Sequence, residues 1–277
     1  MRLSSKKHCL MATDKAARPR LGLIGHGAIG QAITSRLRAE GGISELAAIL
    51  VRPGKSLESG LPFRDSLEAF LEAQPEVVIE AAGHGAVAAF GPEIVKRECR
   101  LIISSVGALA DDNVAERLRA ADPSGQLAIV PAGAIAGLDG LVAARIAGLR
   151  EVTYSSLKPP AAWRGTAAED TIDLNHREEE LVFFDDSARQ AALRYPKNAN
   201  VSAAIAIAGL GLEKTRVRLV SSRRVSNPLG IIEASGDFGW FRFEIFANAF
   251  PENPKTSMLT AFSLLQCARY GIGIPAL

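Results

Sequence analysis

Three glycines, Gly25, Gly27 and Gly30, with His26, Ala28 and Ile29 between them, follow the apolar run Leu21-Gly22-Leu23-Ile24. The first glycine allows a tight turn, the second lets the backbone approach a pyrophosphate with no Cβ in the way, and the third lets the next helix pack closely on the strand. Phosphates held there meet free N–H groups and the positive end of a helix dipole. Alone, such a pattern is weak evidence. Here it follows a strand and precedes a helix over residues 31–39. A second apolar strand over 46–51 then ends about twenty residues on, as a dinucleotide-binding βαβ unit requires. Gly25, Gly27, Ala28, Ile29 and Gly30 are therefore the expected cofactor loop.

In a parallel sheet the ligand lies beyond the carboxyl ends of the strands. The second strand normally ends near an acid that binds the ribose 2′-hydroxyl of NAD, but this chain reads Val51-Arg52-Pro53-Gly54-Lys55. Two cations and no acid suit a 2′-phosphate, so NADP is expected to be accepted and even preferred over NAD; the alternative is that Arg52 and Lys55 are solvated loop charges. Gly83-His84-Gly85 and Ser104-Ser105-Val106-Gly107-Ala108 follow the next two strands and can line the same crevice. Histidine titrates near neutrality, so His84 could transfer protons, although a loop histidine that only shapes the site fits as well. Pro131 to Gly137 repeats the arrangement, with small residues between a strand end and a helix.

The elements that must position these residues alternate. Helices are predicted over 66–73, 86–97 and from Asp111-Asp112 to 121, with strands over 77–81, 101–105 and 127–130. Strand and helix in turn mean a parallel sheet covered on both faces. A helix over 135–149 then links to a second unit. There, alternation at 151–157, 181–184 and 216–221, and a pair of strands within 230–246 joined through Gly236-Asp237-Phe238-Gly239, predicts a mainly antiparallel sheet. Helices are predicted near 186–195, 201–208 and 256–270. The expected fold class is α/β: a Rossmann-type doubly wound parallel sheet with a second α+β domain. The expected organisation is a mobile tail over 1–19, a dinucleotide-binding domain over 20–134 and a substrate and oligomerisation domain over 135–254, with 255–277 returning to the first domain.

Composition narrows the partners. A chain of 277 residues that is 48% hydrophobic can bury a sizeable core. Thirty-two Lys and Arg against thirty Asp and Glu, with no dense basic block, argue against nucleic acid. Cys9, Cys99 and Cys267 have no C-x-x-C spacing, so neither a disulfide framework nor a metal site is expected. The absence of a secretory pattern and of an uninterrupted membrane-length apolar stretch predicts a cytoplasmic protein with no membrane partner. The exposed face of an antiparallel sheet suits pairing with a second copy, so a homodimer is expected.

Four further motifs are more specific. Lys158-Pro159-Pro160, Trp163-Arg164-Gly165-Thr166, Tyr195-Pro196-Lys197-Asn198-Ala199-Asn200-Val201 and Asn253-Pro254-Lys255-Thr256-Ser257 occur in that order. With the glycine loop and Gly133-Ala134-Ile135-Ala136-Gly137-Leu138-Asp139, they make the chain resemble the L-aspartate dehydrogenase family from residue 21 to about 268. The resemblance implies NAD(P)-dependent oxidation of L-aspartate to iminosuccinate, which is hydrolysed to oxaloacetate and ammonia or passed on toward NAD synthesis. It also implies that Ala134 and Asn200 contact the cofactor. Lys158, Arg164 and Lys255 are the candidates for holding substrate carboxylates, arginine being suited to a bidentate contact; surface or inter-domain ion pairs are the alternative.

One departure stands against these agreements. The family's active-site histidine, in an Asn-x-His pattern, aligns with Gly230 in Asn227-Pro228-Leu229-Gly230, and Ser221-Ser222-Arg223-Arg224 replaces an Ala-Asp-Pro turn. Of the other histidines, His8 is in the tail, His26 is in the phosphate loop and His176 falls in a charged stretch expected to be a solvated face. His84 is the expected catalytic stand-in. Two alternatives follow: a dehydrogenase or reductase of another small amino, imino or hydroxy acid, and a nucleotide-binding homologue with impaired catalysis.

Overall fold

The computed structural model describes residues 18–54, 60–196, 199–250 and 253–277, the side chains of 249–250 and 253–256 excepted. Lys55 and all but the last two residues of the expected tail lie outside the described residues. The chain runs β1 (Leu21–Ile24), α1 (Ala28–Ala39), β2 (Leu46–Leu50), β3 (Phe63–Arg64), α2 (Leu67–Glu72), β4 (Val77–Glu80), α3 (His84–Lys96) and β5 (Arg100–Ile103). It continues through α4 (Asp112–Ala121), β6 (Ala128–Val130), α5 (Leu138–Ile146), β7 (Leu149–Lys158), β8 (Glu180–Ser187), α6 (Ala188–Arg194) and α7 (Asn200–Ala208). The last elements are β9 (Arg216–Ser222), β10 (Leu229–Gly236), β11 (Gly239–Phe246), β12 (Ala249–Phe250), β13 (Asn253–Ser257), α8 (Met258–Tyr270) and β14 (Ile274–Pro275).

Seven strands form one sheet in the order β14-β6-β5-β4-β1-β2-β3, with every neighbouring pair parallel except β14 with β6. Its central strands are apolar on both faces because both are covered. Leu21, Leu23, Val77 and Ile79 pack with Ile33 and Leu37 of α1 and with Leu264 and Ala268 of α8. Ile24, Val78, Leu101 and Ile103 pack the opposite way, with Val87 and Ile94 of α3 and Leu118 of α4. The last helix of the chain thus covers the first sheet, and Arg269 ties it to Glu40 and Glu45 at 2.8 and 3.0 Å.

The second sheet has the order β11-β10-β7-β9-β8 and is antiparallel except between β7 and β9. Val152, Tyr154, Val217, Leu219 and Ile232 face α5 to α7 in the same apolar cluster that backs the first sheet, so one core runs through both. A 3-10 turn at Val106–Ala110 meets α6 and α7 at this junction. Arg189 of α6 clamps it, bonding Asp112 Oδ1 at 3.0 Å together with the Ala110 carbonyl and Glu213.

Several boundaries differ from those predicted. The helix expected over 135–149 forms only over Leu138–Ile146, because Gly133 and Gly137 adopt φ of 64° and 82° and keep the preceding segment a loop. Strand β8 runs on to Ser187, whose Oγ accepts from Gln190 N at 3.3 Å and delays the helix to residue 188. Ser257 does the same for α8 by accepting from Leu259 N at 3.2 Å. Among the described residues no helix is long and apolar enough to cross a membrane.

Candidate active site

Strand order reverses between β1 and β4, and ligands of such sheets bind at that switch point. The glycine loop sits there. Gly25 has a φ of 93°, and a Cβ on it would lie 2.7 Å from the Ala81 carbonyl; one on Gly30 would lie 2.6 Å from the Gly25 carbonyl. A Cβ on Gly27 would meet nothing within 4 Å. Two of the glycines therefore allow backbone to close on backbone, while the third faces open space that a pyrophosphate can enter. Helix α1 starts at Ala28 with no acid in its first turn, so the first-turn amides, Ala28 and Ile29 among them, present an uncompensated positive end.

Two crevices flank this loop. One, of 1320 Å³, is lined by Gly25, Gly27, Arg52, Asp65, Ala86 and Phe90 among others, and its apolar wall suits an adenosine. Asp65, from the connection between β3 and α2, is an acid that the sequence reading missed, because it lies well beyond the end of β2. The other crevice, of 960 Å³, lies between the two sheets and brings together Ile29, Ala134, Lys158, Asn200 and Gly230.

The loops after β4 and β5 hang on one buried carboxylate. Glu80 is 0% exposed. Its Oε1 accepts from Ala82 N at 2.7 Å, Gly83 N at 2.8 Å and Ser105 Oγ at 3.0 Å, and its Oε2 accepts from Ser105 N at 2.9 Å. Burial pushes its carboxyl above the usual carboxylate range, against the opposing pull of these donors. A second junction is made by Asn200 at the start of α7. Its Oδ1 accepts from Gly107 N at 3.0 Å and lies 3.1 Å from His84 Nε2, which donates to it. His84, expected as the proton-transfer group, is among the lining residues of neither crevice; its ring orients Asn200.

The cleft between the sheets is floored by alternate residues of β7. Tyr154, Ser156 and Lys158 share one face of that strand and all three line the cleft, each at least 90% buried. Burial pushes the Tyr154 phenol up to about 12, partly opposed by a hydrogen bond from Ser156. The Lys158 ammonium lies 4.9 Å from the Trp163 ring centroid. Gly230 pairs with Ser156 across the β7–β10 ladder, and a Cβ on it would stand 3.4 Å from the Tyr154 hydroxyl, so this position opens onto the cleft.

The remaining candidates are not gathered there. Arg164 is exposed and lines a separate shallow depression with Glu169 and Asp173, because the 3-10 turn Pro160–Trp163 carries the chain away from the cleft. Lys255 belongs to β13 by its backbone, and its side chain lies outside the described residues. His176 corrects the reading of its stretch as a solvated face. It is buried, with Nε2 2.8 Å from Ser221 Oγ and Nδ1 3.0 Å from the Glu178 carbonyl, while neighbouring Glu179 takes the surface ion pair with Arg224.

A doubly wound sheet with a phosphate-binding glycine loop at its switch point, opening into a cleft that ends on a buried cation, defines a nicotinamide-dependent dehydrogenase. Residues 25–130 match the family model described as "Homoserine dehydrogenase, NAD binding domain" and residues 139–270 match "Aspartate dehydrogenase, C-terminal". The chain is 42% identical over 254 residues to an L-aspartate dehydrogenase of Serratia proteamaculans, covering 89% of this chain and 95% of that one. It is 38% identical over 251 residues to the L-aspartate dehydrogenase of Ralstonia pickettii, covering 88% and 94%. The crystal structure of aspartate dehydrogenase from Thermotoga maritima superposes with a TM-score of 0.73 at 25% identity, over 92% of this chain and 97% of the other. The chain belongs to the L-aspartate dehydrogenase family.

Proposed function

We propose that this protein oxidises L-aspartate to iminosuccinate with NAD or NADP and catalyses the reverse reductive amination. The observation that carries the reading is Lys158, the one cation among the described residues lining a largely apolar cleft that opens beside the glycine loop. An ammonium in an apolar cleft wall attracts carboxylates, and L-aspartate carries two. The bound nicotinamide supplies the hydride acceptor. The chain does the rest: the α1 N-terminus and Gly27 receive the pyrophosphate, Ala134 and the Asn200 amide position the nicotinamide end, and the cleft excludes water from the reacting carbon.

Arg52 lines the adenosine crevice and favours the 2′-phosphate of NADP, while Asp65 in the same crevice can accept from a ribose hydroxyl of NAD. Both cofactors are therefore used, and Arg52→Ser raises KM for NADPH more than for NADH. Action as a homodimer through the open face of the second sheet, where Trp240 and Phe246 are exposed, fits this reading. So do a cytoplasmic location and delivery of iminosuccinate to NAD synthesis.

The test is consumption of NADH and NADPH by purified protein with oxaloacetate plus ammonia, beside pyruvate and 2-oxoglutarate plus ammonia. Oxidation should require both oxaloacetate and ammonia. Preference for one of the other oxo acids would replace aspartate as the substrate.

A further inference from the structure

We propose that Tyr154 is the catalytic acid of this cleft, giving its phenolic proton to the substrate nitrogen in the reductive direction; this rests on the reading of the cleft as the site of aspartate chemistry. Tyr154 and Lys158 are the only titratable side chains among the described residues that line the cleft. Among the described residues, those that line the cleft with Tyr154 carry no competitor: Ile135 comes from the loop before α5, Val201 and Ala204 from α7, and Gly230 from β10. His84 is turned to Asn200.

The two titratable groups stand four residues apart on one strand face, with Ser156 between them, which spaces their Cα atoms by about 13 Å. Side chains reaching inward from both ends can bracket a four-carbon diacid. With one carboxylate held at Lys158, the carbon that bears nitrogen lies toward the hydroxyls of Ser156 and Tyr154. Gly230 carries no side chain beside the phenol: a Cβ there would stand 3.4 Å from the Tyr154 hydroxyl and 3.8 Å from Ile135. Desolvation keeps the phenol protonated, the state a donor needs.

As the imine carbon takes hydride from the reduced nicotinamide, a C–H bond forms and the C=N π pair moves onto nitrogen. The nitrogen forms an N–H bond with the Tyr154 proton as the phenolic O–H breaks. The imine is reduced and the nicotinamide oxidised, and the phenolate regains a proton from solvent by way of the Ser156 hydroxyl. General acid help of this kind is worth roughly a hundredfold to ten-thousandfold.

Tyr154→Phe removes one oxygen and no carbon, so packing is kept. Turnover of oxaloacetate plus ammonia at saturating NAD(P)H should fall at least about a hundredfold, with KM for oxaloacetate changed little. Lys158→Met gives the opposite split, a raised KM with a smaller change in kcat. A second readout needs no turnover: calorimetric binding of L-malate and of succinate to the NAD-loaded protein. L-malate carries a hydroxyl where aspartate carries its amine, and succinate carries nothing there. Wild-type protein should bind L-malate more tightly than succinate, and Tyr154→Phe should abolish that difference. Wild-type turnover in Tyr154→Phe, or equal weakening of both diacids, overturns the proposal. Wild-type protein that oxidises no cofactor with oxaloacetate and ammonia overturns the parent reading and this inference with it, whereas an active wild type with an equally active variant overturns the inference alone.

Discussion

Replacing Glu80 with alanine should cost about 3 kcal/mol of folding stability, read from urea unfolding, because it removes a buried carboxylate that accepts from three backbone N–H groups and the Ser105 hydroxyl at once. Of these, the Ser105 N–H and hydroxyl are buried with the carboxylate, whereas Ala82 N and Gly83 N lie nearer the surface and lose less. Glu80→Gln should cost less, roughly 1–3 kcal/mol, since its Oε1 can still accept on one side while its NH2 group confronts the Ser105 N–H on the other. The same change should raise KM for the cofactor, because the loops released are those at the carboxyl ends of β4 and β5, beside the switch point. An alanine variant as stable as the parent would show that the carboxylate does not hold these loops.

The second large effect concerns the cofactor directly. A Cβ at position 30 would sit 2.6 Å from the Gly25 carbonyl, and that backbone atom cannot move without moving the turn that receives the pyrophosphate. Gly30→Ala should therefore weaken NADH binding roughly a hundredfold in a fluorescence titration, the scale set by an ångström of misplacement. Gly27→Ala tests the same loop differently: its Cβ meets no protein atom, so the variant should fold normally and lose affinity only through contact with the ligand. Parental affinity in Gly30→Ala would mean that the turn adapts, and that its geometry does not set binding.

The scaffold was readable because its signals are local. Unbroken apolar runs, turn glycines and helix spacing identified the central strands of the first sheet, and alternation identified the strands of the second; the packing of Leu264 and Ala268 places the last helix on the first sheet. What escaped was decided by distant contacts. Glu80 reads as the polar end of the run Val77-Val78-Ile79-Glu80, and nothing near it in sequence announces that Ser105 closes over it. Tyr154 looks like any aromatic residue of an alternating strand until Gly230, on a strand more than seventy residues away, leaves its hydroxyl facing a cleft. Asn200 stood out through its motif, whereas its bond with His84, more than a hundred residues away, had no signal in the sequence. His176 was misjudged for the same reason, since its partner Ser221 comes from another strand.

Transfer of deuterium tests the central claim most directly. Purified protein would be incubated with oxaloacetate, ammonia and NADH or NADPH deuterated at C4 in one stereochemical sense or the other, and the aspartate formed would be read by mass spectrometry and proton NMR. One of the two labelled cofactors should yield L-aspartate with a single deuterium at C2, and the other unlabelled L-aspartate. Cofactor oxidation with no label in aspartate from either isomer, or no aspartate at all, would contradict hydride transfer to this substrate in the cleft floored by Tyr154, Ser156 and Lys158.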